Sequence, residues 1–182
     1  MKDPVRLETK RLELCRYKEE DFNNFCNIIS NEYCINYLSI RAQDNIHKEA
    51  ESIFSLILSS YNTPNPQFVL KILKKGNNDF IGTCGLRICR ESTTAECFYA
   101  LLPLYQGSGF AIEAMLKVLE YSFNILGIPK ILIYLHPSNS KSWRVAERIG
   151  MKYMGHVYHK SFIPKAMLFV IKKVEYHVQH LY

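Results

Sequence analysis

Between Glu96 and Leu126 the chain changes its hydrophobic period once, at a glycine turn, and no other feature limits the possible folds as strongly. Residues Glu96 to Leu102 read as a strand. From Gly109 to Leu126, Ile112, Met115, Leu116, Leu119, Phe123 and Leu126 share one helical face, with Glu113, Lys117, Glu120 and Asn124 opposite. Tyr105-Gln106-Gly107-Ser108-Gly109-Phe110-Ala111 joins the two. Unpaired backbone N–H groups and the positive end of a helix therefore converge where side chains are nearly absent, which is an anion site by construction. The alternative is a plain strand-to-helix turn that uses glycine for its dihedrals. Two nucleotide patterns fail here. A dinucleotide fingerprint needs Gly or Ala where Ile112 stands and an acidic residue near Leu135 and His136, and a Walker loop needs a Gly-Lys-Ser/Thr that this chain lacks.

The flanking segments supply the rest of a mixed sheet. Arg11 to Tyr17 alternates as a strand, and Glu19-Glu20-Asp21 opens a helix with Phe22, Phe25, Ile28 and Ile29 at helical spacing. Residues Ile46 to Ser60 form a second helix, followed by a loop at Asn62-Thr63-Pro64-Asn65-Pro66. Gln67 to Leu73 and Phe80 to Cys89 make a hairpin across Lys74-Lys75-Gly76-Asn77-Asn78-Asp79, which Glu96 to Leu102 extends into a meander. After Gly127 and Pro129 come a buried strand at Lys130 to Leu135 and a helix at Ser138 to Ile149, stopped by Gly150. Strands at Met151 to Tyr158 and Ala166 to Val174 follow. The order β-α-α-β-β-β-α-β-α-β-β predicts an α/β fold with a mixed, mostly antiparallel central sheet flanked by helices.

With 182 residues, 48% of them apolar, the chain suits one domain over residues 1–182, burying roughly 70% of its unfolded surface. No apolar run approaches the roughly 20 residues of a membrane span, and Met1-Lys2-Asp3-Pro4 has no signal core, so no membrane partner is expected and the cytoplasm is the expected location. The six cysteines, Cys15, Cys26, Cys34, Cys84, Cys89 and Cys97, include no C-x-x-C pair and are expected to be reduced. The net charge of +6 is scattered, without the interleaved aromatics of a nucleic-acid platform, so nucleic acid is not an expected partner. A mild positive potential favours a polyanionic small ligand instead. His136, His156 and His159 stand apart from any cysteine or carboxylate cluster, and no metal is expected. Tyr99, Tyr153 and Tyr158 are either acceptor-site walls or packing residues.

Gln106-x-x-Gly109-x-Ala111 resembles the pyrophosphate-binding pattern of the GNAT superfamily of N-acetyltransferases. Thr9-Lys10-Arg11-Leu12-Glu13-Leu14-Cys15-Arg16 is similar to the opening signature of its branch that acetylates ribosomal-protein N termini. Glu96 to Ala114 and Asn139 to Met151 look like that branch's cofactor segments, so the likeness runs from about Thr9 to Val157. It implies the GNAT fold, with splayed central strands holding acyl-CoA, and acetyl-CoA as donor. The cofactor residues it implies are Leu102, Leu104, Gln106, Gly107, Ser108, Gly109, Phe110, Ala111, Asn139 and Ser142. Ser108 departs from the basic residue common at its position, and Phe98 from a glycine common two residues after the acid.

Acetyl transfer from a thioester needs a neutral amine, a polarised carbonyl and a proton for the leaving thiolate. The resemblance implies Ser142, in Asn139-x-x-Ser142, as the hydroxyl beside the sulfur; a first-turn serine is the alternative, as an N-cap is for Asn139. Ala146 holds the register where many relatives place a proton-donating tyrosine. Glu96 is implied as base or water relay, with an exposed strand-end carboxylate as the alternative. The expected activity is direct acetyl transfer to a primary amine, on a small molecule or a protein N terminus, by a monomer or homodimer. The rival reading is a non-catalytic acyl-CoA-binding regulatory module of the same fold.

Overall fold

Eight strands form one sheet: β1 (Arg6–Glu8), β2 (Leu12–Arg16), β3 (Phe68–Lys74), β4 (Asp79–Ile88), β5 (Thr94–Leu101), β6 (Lys130–Leu135), β7 (Lys152–His159) and β8 (Phe162–Lys172). Their order is β1-β2-β3-β4-β5-β6-β8-β7. The helices are α1 (Phe22–Ile29), α2 (Ile46–Ser60), α3 (Phe110–Asn124), α4 (Ser140–Arg148) and α5 (Lys173–Gln179). This is a computed structural model, and it describes residues 6–31, 46–63, 67–88, 93–159 and 162–179. Cys34, Cys89 and Pro64 to Pro66 of the expected loop lie outside the described residues.

Every neighbouring pair in the sheet is antiparallel except β5 and β6. Those two are joined by the α3 crossover, the kind of connection parallel strands require. Their pairing is brief. Thr94 faces Lys130, Ala95 faces Ile131 and Glu96 faces Leu132, and there the register ends, although β5 continues to Leu101 and β6 to Leu135. The strands part as their carboxyl ends approach, leaving a gap in mid-sheet.

Side chains alternate across the sheet and divide the core in two. Ala95, Cys97 and Leu101 of β5 and Ile131, Ile133 and Leu135 of β6 pack with Met115, Leu119 and Phe123 of α3 and Ala146 of α4. On the opposite face Val69 and Ala100 pack with Phe25 and Ile28 of α1 and Phe54 and Ile57 of α2, with Phe98 and Leu102 against them. Tyr17, Phe25 and Phe54 close that second layer in edge-on and tilted contacts, with centroids 5.1 to 5.8 Å apart.

Two elements differ from expectation. The edge strand β1 was not anticipated, because only Leu7 of its three residues is buried. The last strand ends at Lys172, and Lys173 and Val174, expected to be extended, open α5 instead. Glu175 makes that switch by accepting the Lys172 N–H at 3.0 Å, while the Lys173 N–H is held by the Pro129 carbonyl at 3.0 Å.

One buried ion pair fixes α1 to the sheet. Lys71 Nζ lies 2.7 and 2.6 Å from the two carboxylate oxygens of Asp21, with the side chains 9% and 8% exposed, and the Lys18 N–H donates to the same carboxylate at 2.7 Å. Removing one partner strands the other in a dry layer. Lys71→Met is therefore expected to cost about 3–5 kcal/mol of unfolding free energy in a urea titration. Adding Asp21→Asn, which keeps the acceptor for Lys18 but removes the orphaned charge, should restore a large part of that loss.

Candidate active site

The predicted glycine turn is present and strained in the manner glycine allows. After a short 3-10 turn at Pro103–Tyr105, Gly107 and Gly109 adopt φ of 83° and 80°, the left-handed region that side-chain-bearing residues avoid. Gly109 is the N-cap of α3 and offers no side chain to the helix end. The Gln106 N–H is taken by the Pro103 carbonyl, whereas the N–H groups of Gly107 through Ile112 meet no acceptor among the described residues. The result is a row of free donors at the positive end of a 15-residue helix.

A distant segment holds this row in place. Arg11 Nε donates to Glu113 Oε2 at 2.6 Å and its backbone N–H to Glu113 Oε1 at 2.8 Å, while Arg11 Nη1 donates to the Ser108 carbonyl at 3.0 Å. The guanidinium also lies over the Phe110 ring, 4.4 Å from its centroid, and the Thr9 hydroxyl donates to Glu113 at 2.6 Å. Burial opposes the ionised form of Glu113, but the bonds from Thr9 and Arg11 outweigh it and hold the carboxyl below its ordinary value of 4.5.

The turn opens into a cleft of about 770 Å³. Of the predicted residues, Glu96, Gln106, Gly107, Gly109, Phe110, Ala111, Asn139 and Ser142 line it. Leu102, Leu104 and Ser108 do not. Leu102 packs into the α1–α2 layer, Leu104 is 84% exposed, and Ser108 contributes the carbonyl that Arg11 holds. Gln106 bridges the two halves of the cleft, donating to the Leu101 carbonyl at 3.0 Å and accepting from Lys141 at 3.2 Å. Asn139 fills the N-cap role, with Oδ1 accepting the Ser142 N–H at 3.1 Å, and it lines the cleft as well.

Glu96 and Ser142 reach the cleft from opposite faces of the sheet. Glu96 shares the parity of Phe98 and Ala100, which belong to the α1–α2 side, and its carboxylate lies 3.6 Å from the Arg87 guanidinium. Ser142 begins α4, whose Ala146 belongs to the other layer. Both meet at one cleft because the gap between β5 and β6 connects the faces.

Residues 11–152 match the family model for an acetyltransferase (GNAT) domain. The chain belongs to the GNAT acetyltransferase family. Curated relatives of this GNAT protein include the uncharacterised N-acetyltransferase p20 of Bacillus licheniformis, 28% identical over 150 residues, covering 82% of this chain and 83% of that one. A shorter match, 34% identical over 70 residues, covers 38% of this chain and 40% of the spermidine N(1)-acetyltransferase of Vibrio cholerae. Among solved structures, the spermidine N-acetyltransferase of Vibrio cholerae, crystallised with CoA and spermine, shares the fold with a TM-score of 0.79 at 22% identity, covering 93% of this chain and 99% of that one. The ribosomal-protein-S5-alanine acetyltransferase of Vibrio fischeri does so at 0.77 and 19%, covering 93% and 97%. The protein is thus an N-acetyltransferase by family.

Several site features of this GNAT chain escaped sequence reasoning. Tyr99 spends its hydroxyl on the Ser142 carbonyl at 2.7 Å, fixing the first turn of α4, and burial pushes its pKa far above a free phenol's. Lys141, Arg144 and Arg148 put a basic stripe from α4 along the cleft, a spacing of three and four residues that the helix pattern contained. Burial, then the charge of Glu96, pushes the Cys97 thiol up to about 12, so the cysteine nearest the gap stays protonated at neutral pH and supplies no thiolate nucleophile.

Two outcomes test the turn. Gly109→Pro, which imposes a negative φ and deletes an N–H, should lower CoA affinity at least tenfold in calorimetry of the folded variant. The clasp carries a pH signature. A depressed carboxyl contributes stability that is present above its unfolded value and lost as pH falls through its folded one. Arg11→Met should therefore destabilise the protein at pH 7, and its deficit relative to the parent in urea unfolding should shrink once pH drops below 4.5.

Proposed function

We propose that the protein transfers the acetyl group of acetyl-CoA directly to a primary amine on a small molecule. The observation that carries this reading is the row of free N–H donors from Gly107 to Ile112, which leads into the gap between β5 and β6. Those donors suit a pyrophosphate, and the basic stripe of Lys141, Arg144 and Arg148 suits the remaining phosphate charge. The unpaired backbone edges of β5 after Glu96 and β6 after Leu132 suit the amide groups of a pantetheine arm. The spermidine acetyltransferases among the relatives support a small-molecule amine as acceptor.

The chain's own groups then account for each proton. Glu96, directly or through a water, takes the proton of the acceptor ammonium, so that a neutral nitrogen attacks the thioester carbon. As the carbon–nitrogen bond forms and the carbon–sulfur bond breaks, the nitrogen sheds its second proton, which reaches the departing thiolate through the Ser142 hydroxyl, while the proton first taken by Glu96 passes to solvent. The products are an N-acetyl amine and CoA. Cys97, held protonated, takes no covalent part, and the group passes in one step.

Thiol release from acetyl-CoA across a panel of primary amines tests the reading, and its absence for every amine would overturn it. Ser142→Ala should lower kcat by up to about a hundredfold while leaving CoA affinity close to that of the parent. Glu96→Gln should be slow near neutral pH and recover as pH approaches the acceptor's own pKa, about 10 for an alkyl amine and about 8 for a peptide N terminus. A Glu96→Gln profile matching the parent's at every pH would remove Glu96 from the proton path.

A further inference from the structure

The acceptor side of the cleft carries a charge that the transfer chemistry does not use. Its walls are apolar: Phe25, Ile28 and Ile53 from α1 and α2, and Phe98 from β5. Two carboxylates enter this lining. Glu96 is partly balanced by Arg87 at 3.6 Å, but Glu49, in the first turn of α2, meets no countercharge among the described residues. Its Oε2 is shut off from solvent and has no hydrogen-bond partner among the described residues.

An ionised oxygen in that condition costs free energy, and apolar neighbours such as Ile53 and Phe25 offer it no hydrogen bond. A ligand that brings its own positive charge removes the cost. The basic residues that also line the cleft lie largely on α4, beside the turn, so the cleft is polarised: cationic where a polyanion would lie, carboxylate-bearing and apolar where the acceptor would lie.

We infer that Glu49 is a specificity-determining residue that receives a second positive charge of the acceptor, so that the preferred substrate is an aliphatic diamine or polyamine. One amine would stand at Glu96 for acetylation, the methylene chain would pack on Phe25, Ile28, Ile53 and Phe98, and the remote ammonium would meet Glu49. This inference rests on the acetyl-transfer reading for its substrate, but binding tests it separately.

The experiment compares butylamine with putrescine, which share a four-carbon chain and differ in the second ammonium, for the parent and Glu49→Gln. Putrescine should exceed butylamine in kcat/KM by about tenfold or more in the parent, through KM. Glu49→Gln should erase that preference and leave butylamine unchanged. Calorimetry of both amines on CoA-saturated protein should show the same preference in Kd. Selective binding without turnover would uphold Glu49 and sink the transfer reading, whereas turnover without selectivity would do the reverse. Because the variant exchanges a stranded charge for a neutral amide, its Tm should equal or exceed the parent's. A lowered Tm with equal losses for both amines would make Glu49 a structural residue and overturn the inference, as would faster acetylation of a free N-terminal peptide than of putrescine.

Discussion

The three-residue pairing of β5 with β6 is the constraint on which the rest of the site depends. Had the register continued from Glu96–Leu132 to the strand ends, the sheet would be closed and its two faces would be separate surfaces. Because it stops, backbone groups on both strands are left for another partner, and a passage opens through a layer that is otherwise continuous. The crossover through α3 makes this possible. It lets two strands begin as parallel neighbours and then diverge, with the helix start placed at the mouth of the opening, where open α/β sheets bind ligands.

The clasp between Arg11 and Glu113 is the second requirement. A row of free N–H groups is useful only if it points one way, and the two glycines that permit its geometry also give it freedom to leave that geometry. Arg11 removes that freedom by gripping the Ser108 carbonyl from behind the turn. The residues that face a ligand at this turn are thus nearly featureless, and the side chains that position them belong to another part of the chain.

Much of this arrangement was legible in the sequence because it rests on local pattern. The period change at Gly109 located the turn, the helix and the preceding strand, and the resemblance from Thr9 to Val157 pointed to the family that the 11–152 match establishes. What was not legible depends on contacts between distant segments. Arg11 and Glu113 are 102 residues apart, and nothing about either alone announces the pair. Glu49 reads in sequence as an ordinary polar position in the first turn of a helix, and only its placement over the cleft shows that one oxygen is buried. Leu104, which the resemblance places among the cofactor residues, stands on the 3-10 turn at Pro103–Tyr105 with its side chain 84% exposed, an orientation set by that turn rather than by any local pattern.

The passage through the sheet bears on the order of events. In a blind pocket the second ligand must arrive after the first and can be trapped behind it. Here two faces of one sheet lead to the same point from opposite directions, so in the proposed reaction donor and acceptor would each have a separate approach. In that reaction neither ligand would have to wait for the other, and the spent carrier would depart without crossing the path of the acetylated amine.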